Sequence, residues 1–228
     1  MKTETDLTNV NVNMARRSFL RYAGAGVAGI GLLSAVSSCH KDHNVVPTAG
    51  VTDVGSGDIG VLNFAYALEQ LEAAFYLQVV ATPYTSIPSI ELSYLTDIRD
   101  HEVCHREFFK AALGTSAIQG LTPDFSKIDF TSRTAVLAAA KAFEDLGVTA
   151  YDGIAYNIQN AAYLSIAGSI VSVEARHAAL IGNLITQGNF VSSDQVDTNG
   201  LNISNKPSAV LAGANVYLKT KVSANSFS

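Results

Sequence analysis

The sequence predicts an all-α fold, a four-helix bundle with one long crossover, and three observations carry that reading. Two distant stretches spell Glu-x-x-His, Glu102-Val103-Cys104-His105 and Glu174-Ala175-Arg176-His177, each inside a long apolar helical pattern. The chain repeats itself in two halves around those stretches. Between the halves lies one connection, residues 114–130, long enough to travel the length of a helix.

On an α-helix, positions i and i+3 share a face and lie about 4.5 Å apart along the axis. A carboxylate and an imidazole so placed can bind one metal ion. With 8 Glu and 5 His in 228 residues, random placement yields about 0.2 such pairs. Two occur. The repeat extends the pattern: Glu69 is followed seven residues on by Tyr76, and Glu144 seven residues on by Tyr151. Each half therefore reads Glu, Tyr two turns later, then Glu-x-x-His on the next helix.

One Glu from each of two helices and Glu-x-x-His from each of the other two is the constellation of ferritin-like di-metal carboxylate bundles. The phrases Leu68-Glu69-Gln70-Leu71-Glu72-Ala73-Ala74-Phe75-Tyr76 and Phe143-Glu144-Asp145-Leu146-Gly147-Val148 resemble, more closely, the bacterial ferritin-like-domain family that includes desiccation-related proteins. The resemblance covers roughly residues 58–188. It implies that Glu69, Glu102, Glu144 and Glu174 bind and bridge, with His105 and His177 as terminal ligands. Oxygen and nitrogen donors suit two Fe or Mn ions. Such a site reacts with dioxygen or peroxide, which implies an iron-oxidising or peroxide-consuming stress protein, a di-iron or di-manganese oxidoreductase. The competing reading is a non-catalytic envelope binding or protective protein whose metal site is structural or vestigial. Burial argues for the ions in either case, because unpaired carboxylates in a core cost several kcal/mol each, on the order of the desolvation penalty.

Four more residues surround this set. Glu72 shares a face with Glu69, but Glu144 aligns with Glu69 while Gly147 aligns with Glu72. The repeat thus assigns Glu69 as ligand and leaves Glu72 as a supporting carboxylate, an alternative ligand or a helix-surface charge. Tyr76 and Tyr151 either hydrogen-bond ligand carboxylates or fill the core. His101, four residues before His105, either supports the site or sits at its outer edge. Cys104 reads as a small core residue.

In chain order, residues 1–38 form a leader. Ala15-Arg16-Arg17-Ser18-Phe19-Leu20-Arg21 resembles a twin-arginine export (Tat) signal, and the apolar run Ala23–Val36 is short for a membrane span. Val36-Ser37-Ser38-Cys39 resembles a lipoprotein cleavage box, with Cys39 lipidated. These features predict an exported protein, periplasmic or at the outer membrane or cell surface, held to the membrane through an N-terminal lipid. After cleavage 11 basic and 18 acidic residues remain, without a basic run, which argues against nucleic acid as a partner. Cys104 would then be the only thiol, and no cysteine set for an iron–sulfur centre is present.

Residues 39–57 read as a flexible tether. The bundle occupies 58–188. Asp58 is placed to cap the first helix, which is apolar on most faces and runs to about Val80. Pro83 and Pro88 mark a short turn, and Ser89 or Ser93 starts the second helix, ending near Gly114. The crossover's seventeen residues could span about 56 Å, against about 37 Å for a 25-residue helix. It is expected to run back along the bundle and to start the third helix at the same end as the first. Thr131 or Ser132 caps that helix, with Gly147 and Gly153 as close-packing points. A break near 157–160 precedes the fourth helix, which ends by Gly188. The extension 189–228 is loop-like to Lys206, followed by an amphipathic segment over 208–222 on the bundle's outside.

Overall fold

The computed structural model describes residues 50–227. The expected leader 1–38, the Cys39 lipidation position and the tether as far as residue 49 lie outside the described residues. A short strand β1 (Val51–Asp53) leads into four long helices, α1 (Gly57–Ala81), α2 (Ser89–Leu113), α3 (Arg133–Ile154) and α4 (Ala161–Ile185). A short helix α5 (Pro207–Ala214) and a strand β2 (Lys221–Ser223) follow.

α1 is buried on nearly every face from Gly60 to Ala73, as its all-round apolar sequence requires. It packs along α2 and also against α3, while α3 packs along α4. α2 and α4 each bury a single stripe. On α2 that stripe is Leu95, Ile98, Glu102, Phe109 and Leu113; on α4 it is Ile170, Glu174, His177 and Ile181. The spacing of three and four residues is the helical period. The carboxylates and His177 therefore occupy positions that the fold otherwise gives to Leu and Ile.

The helix ends follow local chemistry. Ser132 accepts from the Ala135 N–H and Asn160 from the Ala162 N–H, so each satisfies a donor left free in the first turn. Gly114 ends α2 with φ of 53°, a conformation glycine adopts without a Cβ penalty. Asp58 does not cap α1; Ser56 holds that position. Its carboxylate instead accepts from the Gln159 and Asn160 N–H groups at 2.8 and 3.0 Å. That pins the α3–α4 turn to the start of α1.

The crossover direction differs from the expectation. Arg133, the first residue of α3, donates to Glu91 in the first turn of α2 and to the Leu184 carbonyl near the end of α4. α3 thus starts where α2 starts and runs antiparallel to α1. The reason is topological. α2 has already reversed the chain, so a connection that travels the bundle's length returns to the beginning of α2. Two buried polar residues of α1 hold this connection in place. Asn63 accepts from the Ile118 N–H and donates to the Ser116 and Val54 carbonyls; Gln70 accepts from the Leu121 N–H.

The last part of the C-terminal extension, from Pro207 onward, belongs to the core. The amphipathic segment expected over 208–222 on the outside is helical over Pro207–Ala214, and Val210, Leu211 and Ala214 are buried with Leu218, Val222 and Phe227. β2 pairs in parallel with β1, Val51 opposite Lys221 and Asp53 opposite Ser223, so the last part of the expected tether is a strand. Gly153 marks where the extension crosses α3: a Cβ there would lie 1.8 Å from the Asn205 carbonyl oxygen. The main chain could not come that close past any other residue.

Candidate metal centre

The four helices bring all six expected ligands together. Glu69 comes from α1, Glu102 and His105 from α2, Glu144 from α3, and Glu174 and His177 from α4. They form two overlapping groups. Glu69, Glu102, His105 and Glu174 offer one donor atom each within 4.8 Å of one another, and so do Glu102, Glu144, Glu174 and His177. Glu102 and Glu174 belong to both groups. All four carboxylates are 0% exposed.

The donors face one another without satisfying one another. His105 Nδ1 lies 2.8 Å from Glu174 Oε1 and 3.5 Å from Glu69 Oε2. His177 Nδ1 lies 2.9 Å from Glu102 Oε1 and 3.4 Å from Glu144 Oε2. These approaches are close in distance but not directed, and among the described residues both Nδ1 atoms lack a hydrogen-bond partner. So do both oxygens of Glu102 and of Glu174, Glu69 Oε2 and Glu144 Oε2. Eight buried donor atoms without directed partners, aimed at shared space, fit cations and fit nothing apolar.

The electrostatics are correspondingly severe. Burial pushes the Glu102 carboxyl well up, and the Glu174 charge pushes it further. Burial also raises Glu144, offset in part by His177, to about 7. Burial would raise Glu174 too, but His105 and His177 outweigh it and hold this carboxyl at about 2. For the imidazoles the balance reverses. Burial would lower them, yet Glu174 and Glu69 hold His105 up at about 11, and Glu102 and Glu144 hold His177 at about 12. The six residues therefore carry imidazolium protons where a metal would supply positive charge.

The surrounding residues resolve the open alternatives. Tyr76 and Tyr151 both hydrogen-bond carboxylates of this cluster, but each serves the other half's Glu. Tyr76 on α1 donates to Glu144 Oε1 on α3, and Tyr151 on α3 donates to Glu69 Oε1 on α1. Antiparallel α1 and α3 put residues 69 and 151 at one level and 76 and 144 at another. Each terminal carboxylate is thus fixed through one oxygen and presents the other to the centre. Burial first, then the adjacent carboxylate, pushes both phenols well up, so both keep their protons.

His101 is exposed, as an edge residue would be, yet its Nδ1 lies 2.9 Å from His177 Nε2 and the two rings stack at 9°. This contact occupies the outer nitrogen of His177 and leaves Nδ1 for the centre. Glu72 is not a surface charge: it is 3% exposed and lies outside both ligand groups. Burial, then the Glu102 and Glu174 charges, push its carboxyl well up. Cys104, expected in the core, is exposed. Sequence reasoning missed Asn63 and Gln70 as anchors of the crossover; their signal was two amides inside a helix that is apolar on most faces.

A four-helix bundle with buried carboxylates on every helix and an imidazole on two of them defines a class of metal-carboxylate bundle proteins. A family model described as "Ferritin-like domain" matches residues 57–187, more than half of the 228-residue chain. The chain belongs to the ferritin-like domain family. No curated protein matches it significantly.

Proposed function

We propose that this chain holds two Fe or Mn ions and uses them as an oxidoreductase, oxidising ferrous iron or consuming peroxide or dioxygen in stress protection. The observation that carries the reading is the sharing of Glu102 and Glu174 between two ligand groups that each have their own Glu and His. Glu69 and His105 would hold one ion, Glu144 and His177 the other, and the shared carboxylates would lie between them. When bound, the pair supplies electrons to an oxidant or takes them from ferrous substrate. The protein's part is orientation. Tyr76 and Tyr151 fix the terminal carboxylates, His101 fixes the His177 ring, and the apolar stripes of α1 and α3 keep bulk water from the ligands.

The test is metal content together with peroxide and oxygen consumption for wild type and His177→Ala. Wild type should carry about two ions and turn over one of these oxidants. His177→Ala should lose turnover while keeping its helix content, since each large core side chain contributes roughly 1.5–3 kcal/mol by burial. Two ions without reaction toward either oxidant would favour the protective or structural reading. No metal under loading with either ion would sink both.

We further propose export and membrane tethering through lipidated Cys39, supported by Arg16-Arg17, the apolar run and the cleavage-box-like residues. Cys39→Ala should leave the protein unprocessed or release it from membranes. Unchanged mass and fractionation would count against it.

A further inference from the structure

α2 and α4 are counterparts in the repeat, so every position on one has an equivalent on the other. Their outward faces differ in charge. α2 carries Asp97, Arg99, Asp100, Arg106, Glu107 and Lys110, each exposed or half-buried. At the equivalent positions α4 has Ser169, Val171, Ser172, Ala178, Ala179 and Gly182. From Gly153 to Val173 the sequence contains no charged residue. Lys, Glu, Arg and Asp belong on exposed helix faces, so a face stripped of them is one that something covers.

For the C-terminal half of α4 the cover is in the chain itself. The segment that follows the helix folds back over it. Ala178, Ala179 and Gly182 line a small cavity together with Phe190, Val191 and Gln195. A Cβ on Gly182 would lie 3.1 Å from the Asn189 carbonyl oxygen. The first half of α4 is as poor in charge and has no such cover among the described residues. Ala161, Leu164, Ser165, Gly168, Ser169 and Ser172 are all exposed there. A Cβ on Gly168 would meet nothing within 4 Å. The Ser169 and Ser172 hydroxyls donate to carbonyls of the helix itself, those of Ser165 and Ser169, so neither needs a donor's partner from outside. Tyr156, 89% exposed, stands in the turn that leads into this face.

Charge decides what the cover is. By length and composition α4 could cross a membrane, but Glu174 and His177 tie its middle into the cluster that all four helices share. A helix lying on a membrane surface carries Lys and Arg along its polar side, and this stretch has neither. The chain as a whole is acidic, with a formal net charge of −5. Two copies therefore repel in general and meet at lowest cost where neither carries charge. A twofold contact sets one face against itself, which an uncharged face permits.

We propose that the outward face of α4 from Ala161 to Val173, with Tyr156 before it, is the contact between two copies of this chain related by a twofold axis. The face is about 20 Å of a helix about 10 Å across, well short of the roughly 800 Å² that each partner buries in a standard complex. The dimer is therefore of the weak, exchanging class.

The experiment is sedimentation velocity of the full chain over a series from about 1 μM to 1 mM, with binding to phosphatidylcholine vesicles measured alongside. Wild type should pass from monomer to dimer within that range. Ser169→Asp with Ser172→Asp gives α4 the residues that α2 has at 97 and 100. It should raise the dimer dissociation constant about a hundredfold or more, because like charges are then set face to face. Tyr156→Ser, outside the helix, should raise it about tenfold. Circular dichroism and melting of the dilute variants should match wild type, since the substituted positions are exposed. Wild type that stays monomeric throughout, or a dimer that survives both aspartates in folded protein, would overturn the proposal. So would a monomeric wild type that binds vesicles while the aspartate variant does not, which would assign the face to lipid.

Discussion

The two halves of the bundle, α1 with α2 and α3 with α4, carry the same ligand-type residues at matched levels and differ in what stands behind them. Glu69 matches Glu144, Tyr76 matches Tyr151, and Glu102 with His105 matches Glu174 with His177. The first half adds Glu72 where the second has Gly147, and His101 where the second has Val173. His101 does not serve its own half; it reaches His177 across the bundle. Among the described residues His105 has no such contact, and it is the more exposed of the pair, with side chains 13% and 5% accessible. The symmetric part holds metal-type donors, and the asymmetric part makes the two positions chemically unequal.

The sharpest way to break this comparison is at α1. Glu69→Ala removes a donor that has a counterpart, whereas Glu72→Ala removes one that has none. We expect Glu69→Ala to lose about one ion per chain, and Glu72→Ala to retain both with weaker affinity. Metal analysis after loading and desalting measures this. Equal loss in both would mean that the alignment of the halves is wrong in helix one.

Proton competition should be nearly as large an effect. His105 and His177 are held at about 11 and 12, and Glu144 at about 7. Metal binding requires neutral imidazoles and an ionised carboxylate, so at neutral pH loading must release protons. Affinity therefore rises with pH. Between pH 6 and 8 it should climb about tenfold per unit for each proton released. Calorimetry at several pH values tests the sign, and a flat profile would contradict the assigned donors.

The smallest expected effect separates the two positions. His101→Val places the second half's residue type in the first half and removes the contact to His177 Nε2. One of two binding steps should weaken about tenfold while the other is unchanged. Equal weakening of both steps would show that His101 acts through the fold rather than through His177.

The clustering of these six residues was legible because each is a polar residue on an apolar stripe, and because the stripe occurs twice. Helix extents were legible for similar reasons: Ser132, Gly114 and Asn160 act where their chemistry is strongest. The direction of α3 was not, since length alone shows that the crossover can span the bundle. Only the contacts of Arg133 fix where it arrives. That error concealed the crossing of Tyr76 and Tyr151, which follows at once from antiparallel helices. Asp58 misled because a carboxylate near a helix start can cap its own helix or another turn. The β1–β2 pairing joins residues about 170 positions apart, on three-residue strands too short to show a period. His101 was ambiguous because exposure and a role behind a ligand are compatible at the rim of a bundle.

The central claim is that two ions lie side by side between Glu102 and Glu174. Anomalous scattering from crystals of the manganese-loaded protein tests it most directly. Two peaks are predicted inside the bundle, one beside Glu69 and His105 and one beside Glu144 and His177, with both shared carboxylates between them. A single peak, or peaks away from these six residues in fully loaded protein, would contradict the account.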